Sequence, residues 1–375
     1  MVDTARVRAT FVRLLEMNTP SGREGAAADF LEAELQQIGF TTWRDGAGTA
    51  LGGETGNLLA RLEGTVPGLP PLLLNAHMDT VAPTEGLVIR EEGGIFRSSG
   101  TTILGADDKA GLTAILEGVR AAVAVGLPRP SLEIAFTICE ETGLRGAKHL
   151  DHSSLTARQA YAFDGGRPVG SIVQAAPSQD NITATLYGIA SHAGAAPEKG
   201  ISAILIAANA LTRMPLGRID AETTANIGVI RGGEATNVVP DRVECRGEAR
   251  SHNEEKLRRQ SQAMVDAFQA AAEAAGGRAE VDVTRIYSHF SLADDHPLVR
   301  RAVAAGRRAG ISEPVVRPGG GGSDANILNT QGIETVVIGL GYDNVHSSDE
   351  YMALGDLVTS AQLALEVIRL AGEGG

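Results

Sequence analysis

The chain contains the stretch Leu72-Leu73-Leu74-Asn75-Ala76-His77-Met78-Asp79-Thr80, in which an apolar run ends at a histidine and an aspartate. A second, nearly continuous apolar run covers residues 132–139. Runs of this kind are typical of strands buried on both faces of a mostly parallel sheet. Residues 109–125, between the two runs, are predicted to form a crossover helix. This alternation predicts an α/β fold in which helices flank a mostly parallel sheet.

The pattern of elements changes after about residue 175. The following segments predict the order β-α-β-β-α-β, which matches the ferredoxin-like split βαβ sandwich. They are strands 180–190, 224–231, 243–249 and 279–287 and helices 200–213 and 254–275. The first pattern then resumes with helix 297–309, strand 335–338 and helix 353–371. We therefore predict a discontinuous first domain, residues 1–176 and 289–375, with an α+β domain inserted at residues 177–288.

Length and composition exclude several classes of protein. With 375 residues, the chain is expected to form two or three domains of roughly 150 residues each. The 33 Lys and Arg residues against 46 Asp and Glu residues give a net charge of −13, which is the wrong sign for binding nucleic acid. No window approaches the roughly 18 to 20 apolar residues of a membrane-spanning helix, and the N-terminus lacks the pattern of a signal peptide. We therefore expect a cytoplasmic protein with no membrane partner.

His77 and Asp79 follow the first apolar run, at the carboxyl edge of the predicted sheet, where open α/β folds bind ligands. Because successive strand residues point to opposite faces, these two side chains share one face. Asp79 can then hydrogen-bond the imidazole nitrogen that faces away from a metal ion. The alternative is a strand-end histidine packed against a turn.

Further candidate ligands end predicted elements or lie in loops. They are Asp107 at the start of the predicted helix, Glu141 after the second apolar run, Asp164 after a third strand and His346 in a C-terminal loop. Taken singly, each has a simpler interpretation as a helix cap, a solvated strand end or a turn residue. Together with His77, they supply two imidazoles and three carboxylates. That set suits a pair of divalent ions of the zinc type, bridged by one carboxylate and a water.

The ordered motifs resemble those of a known family, the dizinc metallopeptidases that include aminoacylase, carboxypeptidase G and peptidase T. The motifs are His77-Met78-Asp79, Gly105-Ala106-Asp107-Asp108-Lys109, Glu140-Glu141-Thr142-Gly143, Asp164 and Val345-His346. The match spans nearly the whole chain, including the position of the inserted domain. The stretch from Leu104 to Gly111 looks most like the peptidase T branch, although Ile103 stands where that branch often has leucine.

The resemblance implies a role for each candidate ligand. Asp107 is expected to bridge two metal ions. His77 and Asp164 would complete the shell of one ion, and Glu141 and His346 that of the other.

The resemblance also assigns the residues around the ligands. Asp79 is expected to be the partner of His77, and Glu140 the general base that takes a proton from the water between the ions. Within the family, an aspartate at the position of Asp164 is more frequent in aminopeptidases and dipeptidases than in carboxypeptidases and deacylases.

By the same resemblance, the inserted domain is expected to act as a lid and dimerisation domain. His192 resembles the lid histidine that reaches the scissile carbonyl oxygen, commonly in the site of the other subunit; alternatively, it is a turn residue. Asn237 and Arg250 resemble the family's substrate-binding residues, and a guanidinium group suits the substrate's carboxylate. A surface salt bridge is the competing interpretation of Arg250.

The glycine-rich loop at residues 319–322 lacks the spacing of a phosphate-binding loop. The backbone amides of Gly320 and Gly321 are expected instead to hold the substrate's main chain or carboxylate.

The sequence therefore predicts a cytoplasmic dizinc exopeptidase that removes the N-terminal residue of small peptides and forms a homodimer through the inserted domain. Zinc is the expected metal, with cobalt or manganese as substitutes. One alternative is a hydrolase of N-acyl amino acids, or a related amidohydrolase, with the same metal centre. Another is a metal-binding homologue without catalysis, which the competent residues at every ligand position and at Glu140 disfavour.

Overall fold

The structure is a computed structural model that describes residues 1–374. Its helices are α1 (Thr4–Leu15), α2 (Gly25–Ile38), α3 (Ala47–Leu51), α4 (Ala106–Ala124), α5 (Arg145–Lys148), α6 (Ala203–Arg213), α7 (Glu254–Ala274), α8 (Pro297–Arg308), α9 (Asp324–Thr330) and α10 (Leu354–Gly372). None of the helices within residues 1–374 is both long and apolar enough to cross a membrane.

The strands have between two and ten residues, and helices separate single strands or runs of strands along the chain. They are β1 (Thr41–Arg44), β2 (Leu58–Leu62), β3 (Leu72–His77), β4 (Ile89–Glu92), β5 (Ile95–Ser98), β6 (Leu132–Thr137), β7 (Gln159–Gly165), β8 (Ile172–Ala176), β9 (Ser178–Tyr187), β10 (Ser191–His192), β11 (Gly217–Arg218), β12 (Thr223–Gly232), β13 (Val238–Val239), β14 (Arg242–Ser251), β15 (Arg278–Tyr287), β16 (Phe290–Ser291), β17 (Val316–Pro318), β18 (Glu334–Gly339) and β19 (Tyr351–Ala353).

The contacts between residues divide the chain into two units. The first contains Met1–Ala175, Ser291–Gly319 and the C-terminal residues from Ser323, and the second contains Ala176–Phe290 and Gly320–Gly322. The three glycines are a difference from the sequence-based division, which left them in the first domain. They group with the second unit because Gly322 packs against the ring of Tyr287, where a Cβ would lie 2.2 Å from Cζ.

The first unit is built around a mostly parallel sheet with the strand order β1-β2-β6-β3-β7-β18-β8-β16, and β17 pairs with β8. β3 runs parallel to β6 and β7, and β18 runs parallel to β7. β2 is antiparallel to β6. The two apolar runs of the sequence thus form neighbouring strands, and the predicted α/β class is confirmed.

Helices cover both faces of this sheet, as the alternation of side chains along β3 shows. Leu72 and Leu74 belong to an apolar core shared with α1, α2, α4 and α10, whereas Leu73 belongs to a separate core that includes Leu328 of α9. All three leucines of β3 are at most 1% exposed. A strand buried on both faces has no solvated side, which is why its sequence is a continuous apolar run.

Local signals set the bounds of the first two helices. The side chain of Asp3 accepts a hydrogen bond from the N–H of Arg6 at 3.1 Å and caps α1. The apolar stripe of this helix, with Val7 and Phe11, is fully buried. Helix α2 is followed by Gly39 in the left-handed region, with φ +109°, a conformation that favours glycine at a helix end.

The second unit is an antiparallel sheet with the order β11-β12-β14-β9-β15, against which α6 and α7 pack. Its core includes Ile182 and Leu186 of β9, Ile206 of α6 and Phe268 of α7. Apart from the two-residue strands β10, β11 and β13, the order along the chain is β9, α6, β12, β14, α7, β15. This is the β-α-β-β-α-β order that the sequence predicted.

A substitution between α4 and α10 tests the packing of the first unit. A Cβ at Gly118 of α4 would lie 2.6 Å from Cβ of Ala364 and 2.9 Å from the main-chain oxygen of Ala361. Because both atoms belong to a packed helix, we expect Gly118→Ala to lower the free energy of unfolding by about 1–3 kcal/mol. Denaturant unfolding followed by circular dichroism measures the change.

Gly355→Ala, in the first turn of α10, is the matched control. No atom lies within 4 Å of the position that its Cβ would take. The substitution should therefore raise the free energy of unfolding by up to about 1 kcal/mol through helix propensity. Equal changes in the two variants would contradict the close approach of α4 and α10.

Candidate metal centre

The five predicted metal ligands converge at the carboxyl edge of the first unit's sheet. His77 ends β3, Asp164 lies in β7, and Asp107 lies in the first turn of α4. Nε2 of His77 is 3.2 Å from Oδ1 of Asp107 and 3.6 Å from Oδ1 of Asp164. Nε2 of His346 is 3.1 Å from Oε1 of Glu141 and 3.6 Å from Oδ2 of Asp107. Two clusters result, and Asp107 belongs to both.

The side chain of Asp107 does not cap α4, which was the simpler interpretation of its position. The helix begins after Gly105, which has a left-handed φ of +78° and offers no side-chain cap. Other carboxylates accept from the N–H groups of this turn: Glu350 accepts from Gly105 and Asp107, and Asp108 accepts from Gly111 at 3.1 Å. The carboxylate of Asp107 is therefore left to face the histidines.

Asp79 organises the chain around His77. Its carboxylate accepts hydrogen bonds from the N–H of Glu140 at 2.9 Å, the N–H of Glu141 at 3.2 Å and the hydroxyl of Ser21 at 2.6 Å. Nδ1 of His77 lies 2.8 Å from the main-chain oxygen of Asp79 and 3.4 Å from its Oδ1. The expected contact with the carboxylate is thus the longer of the two, because three donors already hold that carboxylate.

The adjacent glutamates after β6 lie in different surroundings. The carboxylate of Glu141 reaches His346, whereas the residue Glu140 is only 8% exposed. Burial, together with the nearby carboxylate of Asp164, raises the pKa of Glu140 well above its usual value. A carboxylate with a raised pKa is a stronger base than an exposed glutamate.

The concentration of buried acids fits a site for cations. Burial raises the pKa of Asp164 to about 7 and that of Asp108 well above its usual value. Oδ1 of Asp324, a residue 2% exposed, has no hydrogen-bond partner among residues 1–374. Ionised carboxylates in one buried site raise the free energy of the protein unless positive charge compensates them. Imidazole nitrogens and carboxylate oxygens are ligands of zinc and similar divalent ions, so the residues present fit such a metal.

Residues that sequence reasoning did not single out also lie at the clusters. The hydroxyl of Tyr342 is 3.3 Å from Oδ1 of Asp107 and 3.3 Å from Oδ1 of Asp164. Glu350 binds the turn of Asp107, as described above. Tyr342 and Glu350 stand four residues before and after His346, and this proximity to a candidate ligand was the available signal.

Asp324, the first residue of α9, is a further residue of this kind. It accepts a hydrogen bond from Nδ2 of Asn75 at 3.2 Å and another from the hydroxyl of Thr137. These bonds tie α9 to the ends of β3 and β6. No sequence signal pairs Asp324 with strands that lie so far away along the chain.

His192 and Asn237 come together in the second unit. β10, which contains His192, pairs with β13, and the main-chain oxygen of Asn237 accepts from Ala193 at 2.9 Å. Nδ1 of the exposed His192 accepts from the N–H groups of Gly194 and Ala195, both at 3.1 Å. Because Nδ1 is an acceptor, the proton of the neutral ring lies on Nε2.

Arg250 and the glycine loop form a second group in this unit. Nε and Nη2 of Arg250 make a bidentate ion pair with Glu248, at 2.9 and 3.0 Å. The salt bridge of the competing interpretation is thus present, and the substrate-binding role of Arg250 stays a prediction. Its Nη1 lies near Gly321, where a Cβ would be 3.7 Å away. Gly320 and Gly321 are both exposed.

Comparisons with known proteins identify the family of the chain. Residues 73–370 match the sequence profile of Peptidase family M20/M25/M40. The chain is 40% identical over 373 residues to the uncharacterized protein YqjE of Bacillus subtilis, a match that covers 100% of both chains.

Two solved structures are similar to the whole chain. One is aminopeptidase PepT from Bacillus cereus, 39% identical, with a TM-score of 0.90 and 99% of both chains covered. The other is a tripeptidase from Staphylococcus aureus, 38% identical, with a TM-score of 0.95 and 100% of both chains covered. The resemblance inferred from the motifs is confirmed: the chain belongs to Peptidase family M20/M25/M40, in its peptidase T-like branch.

Proposed function

We propose that this protein is a metal-dependent exopeptidase that removes the N-terminal residue of short peptides, tripeptides among them. The observation that carries the proposal is the pair of ligand clusters that share Asp107, with Glu140 buried beside them. Two similar structures, of an aminopeptidase and of a tripeptidase, support the reaction and the substrate class. The aspartate at position 164 agrees with an aminopeptidase.

Two divalent ions are proposed to occupy the clusters, zinc in the first instance and cobalt or manganese as substitutes. His77, Asp107 and Asp164 would hold one ion, and Asp107, Glu141 and His346 the other. Such ions polarise a carbonyl group and lower the pKa of water. Five side chains are more than the four ligands that a structural zinc ion takes, which favours two ions over one.

Glu140 is proposed to move the proton. Its N–H is held by Asp79 at 2.9 Å, which orients the residue. Because burial raises its pKa, the carboxylate takes a proton from the attacking water more readily than an exposed glutamate does. The same group can return that proton to the departing amine.

The second unit is proposed to supply contacts to the peptide. The Nε2–H group of His192 would donate to the carbonyl oxygen that gains negative charge in the reaction. Nη1 of Arg250 and the amides of Gly320 and Gly321 would hold the substrate's carboxylate. Asn237, whose loop pairs with that of His192, would bind the peptide main chain.

A homodimer through the second unit is part of the proposal. Within the described chain, β11 pairs only with Thr224 and Ala225 of β12, so the edge of β12 beyond Ala225 has no strand partner. Ile230 on this strand is 52% exposed, and Leu205 on α6 is 63% exposed. An open edge strand with exposed apolar side chains favours pairing with a second copy.

Substrate profiling tests the proposed activity. The metal-loaded protein is expected to release the N-terminal residue from free tripeptides and to leave N-acetylated tripeptides intact. Mass spectrometry of the products, with zinc, cobalt or manganese added in parallel, identifies the bond that is cut. Hydrolysis of N-acetyl amino acids without cleavage of tripeptides would establish the deacylase instead.

Neighbouring substitutions separate the base from the ligand. Glu140→Gln should lower kcat by at least the roughly 10²- to 10⁴-fold typical of general-base loss, while metal content stays near that of the wild type. Glu141→Gln should weaken one metal site, since an amide is a poorer ligand than a carboxylate, and excess zinc or cobalt should restore part of its activity. Elemental analysis and steady-state kinetics measure both effects. If the Glu140 variant loses metal and the Glu141 variant keeps it, Glu140 is the ligand and Glu141 the base.

Mixed dimers test whether His192 acts in the site of the other subunit. Separately, His192→Ala and Glu140→Gln should both be nearly inactive, whereas His149→Ala, at an exposed histidine of the first unit, should be active. After the two inactive variants exchange subunits, mixed dimers pair an intact Glu140 with an intact His192 of the other chain. Activity should then recover to about one quarter of the wild-type value, because half of the dimers are mixed and each has one complete site. No recovery, with exchange verified by two affinity tags, would place His192 in its own subunit's site.

A further inference from the structure

Glu350 binds the turn that carries Asp107. The residue has no exposed surface, and its Oε2 accepts a hydrogen bond from the N–H of Gly105 at 2.7 Å. Its Oε1 accepts from the N–H of Asp107 at 3.0 Å. Both carboxylate oxygens therefore hold the main chain at the start of α4.

The main chain of Asp107 departs from a helix at this point. Asp107 has φ −80° and ψ 106°, and Asp108 also lies outside the helical region. Helical hydrogen bonds do not maintain such a conformation, so its support has to come from elsewhere. Among the described residues, the carboxylate of Glu350 accepts from the N–H of Asp107 itself.

Glu350 is in turn fixed to the segment that carries His346. Its N–H donates to the main-chain oxygen of Ser347 at 3.2 Å, and the next residue, Tyr351, exchanges two 3.2 Å main-chain bonds with Asp343. Tyr351 also begins β19, which pairs with β5. The loop of His346 and the turn of Asp107 are thus joined through one buried carboxylate.

We propose that Glu350 is a positioning residue that holds Asp107 where it faces both His77 and His346, and so sets the metal affinity of both clusters. Glu350 itself contacts neither histidine and is not a ligand in this proposal. The inference rests on the proposed metal centre. Because Asp107 belongs to both clusters, a shift of its main chain should weaken both sites together.

Titration of the metal-free protein with metal ions measures its metal affinity and tests the proposal without an activity assay. In Glu350→Gln, an amide group replaces one acceptor and faces an N–H donor. We expect the affinity for Zn²⁺ and Co²⁺, measured by competition with a chromophoric chelator, to fall by at least about 10-fold at both sites. The visible absorption spectrum of bound Co²⁺ should also change, because Asp107 would meet the ion in an altered position.

Glu133→Gln is the matched control. Glu133 is also fully buried, and it also accepts main-chain hydrogen bonds, from Thr156 and Ala157 at 3.0 Å. It lies in β6 and contacts none of the five candidate ligands. This variant should lose stability, like Glu350→Gln, but keep the metal affinity and cobalt spectrum of the wild type.

A double-mutant cycle with Asp107→Asn tests whether Glu350 changes the metal affinity through Asp107. If Glu350 acts through Asp107, Glu350→Gln should change the remaining metal affinity of Asp107→Asn by less than about 2-fold. An equal loss in the two backgrounds, or wild-type metal affinity in Glu350→Gln alone, would overturn the proposal. If Glu350→Gln does not fold, Glu350→Asp takes its place, because its shorter side chain cannot reach both N–H groups. If neither variant folds, Glu350 has a general structural role, and this outcome would also overturn the proposal. A wild-type protein that binds no metal would instead refute the metal centre.

Discussion

The carboxylate of Asp107 faces His77 with one oxygen and His346 with the other, at 3.2 and 3.6 Å. For one side chain to meet both rings, the main chain at Asp107 leaves the helical conformation just where α4 begins. The N–H groups of that turn then need side-chain acceptors, and Glu350 and Asp108 provide them. The shared carboxylate thus explains why so many buried acids surround the first turn of one helix.

These acids lie at one edge of the sheet because the carboxyl ends of its parallel strands meet there. β3 and β7 are parallel neighbours, so His77 and Asp164 arrive at one place although 87 residues separate them. Asp79 joins the end of β3 to the turn after β6 by accepting from Glu140 and Glu141. Asp79 is therefore buried for a structural reason, while the combined negative charge of the acids at this edge favours the binding of cations. The residues that join these elements thus lie in or beside the two clusters that fit divalent ions.

In the second unit, short loops and strands of an antiparallel scaffold carry His192 and Arg250, two of the residues proposed to bind the peptide. Two main-chain N–H groups donate hydrogen bonds to Nδ1 of His192. These bonds fix the orientation of the ring and leave the proton of the neutral ring on Nε2. Glu248 binds Nε and Nη2 of Arg250, and Nη1 lies near the glycine loop. If these side chains bind the peptide as proposed, their fixed orientation lowers the entropic cost of binding.

The sequence by itself determined the fold class, the β-α-β-β-α-β order of the inserted segment and the set of five candidate ligands. It could do so because apolar runs, helical periodicity and ordered polar motifs are local features of the chain. Only the tertiary structure decided that Glu350 and Tyr342 contact Asp107. It also decided that Asp324 joins α9 to two strands and that Gly320–Gly322 group with the second unit. It also decided that Asp79 offers His77 its main-chain oxygen at the shorter distance. These pairings join residues up to 249 positions apart, as for Asn75 and Asp324. They depend on which strands become neighbours and which donors compete for each carboxylate, and no local pattern in the chain encodes that competition.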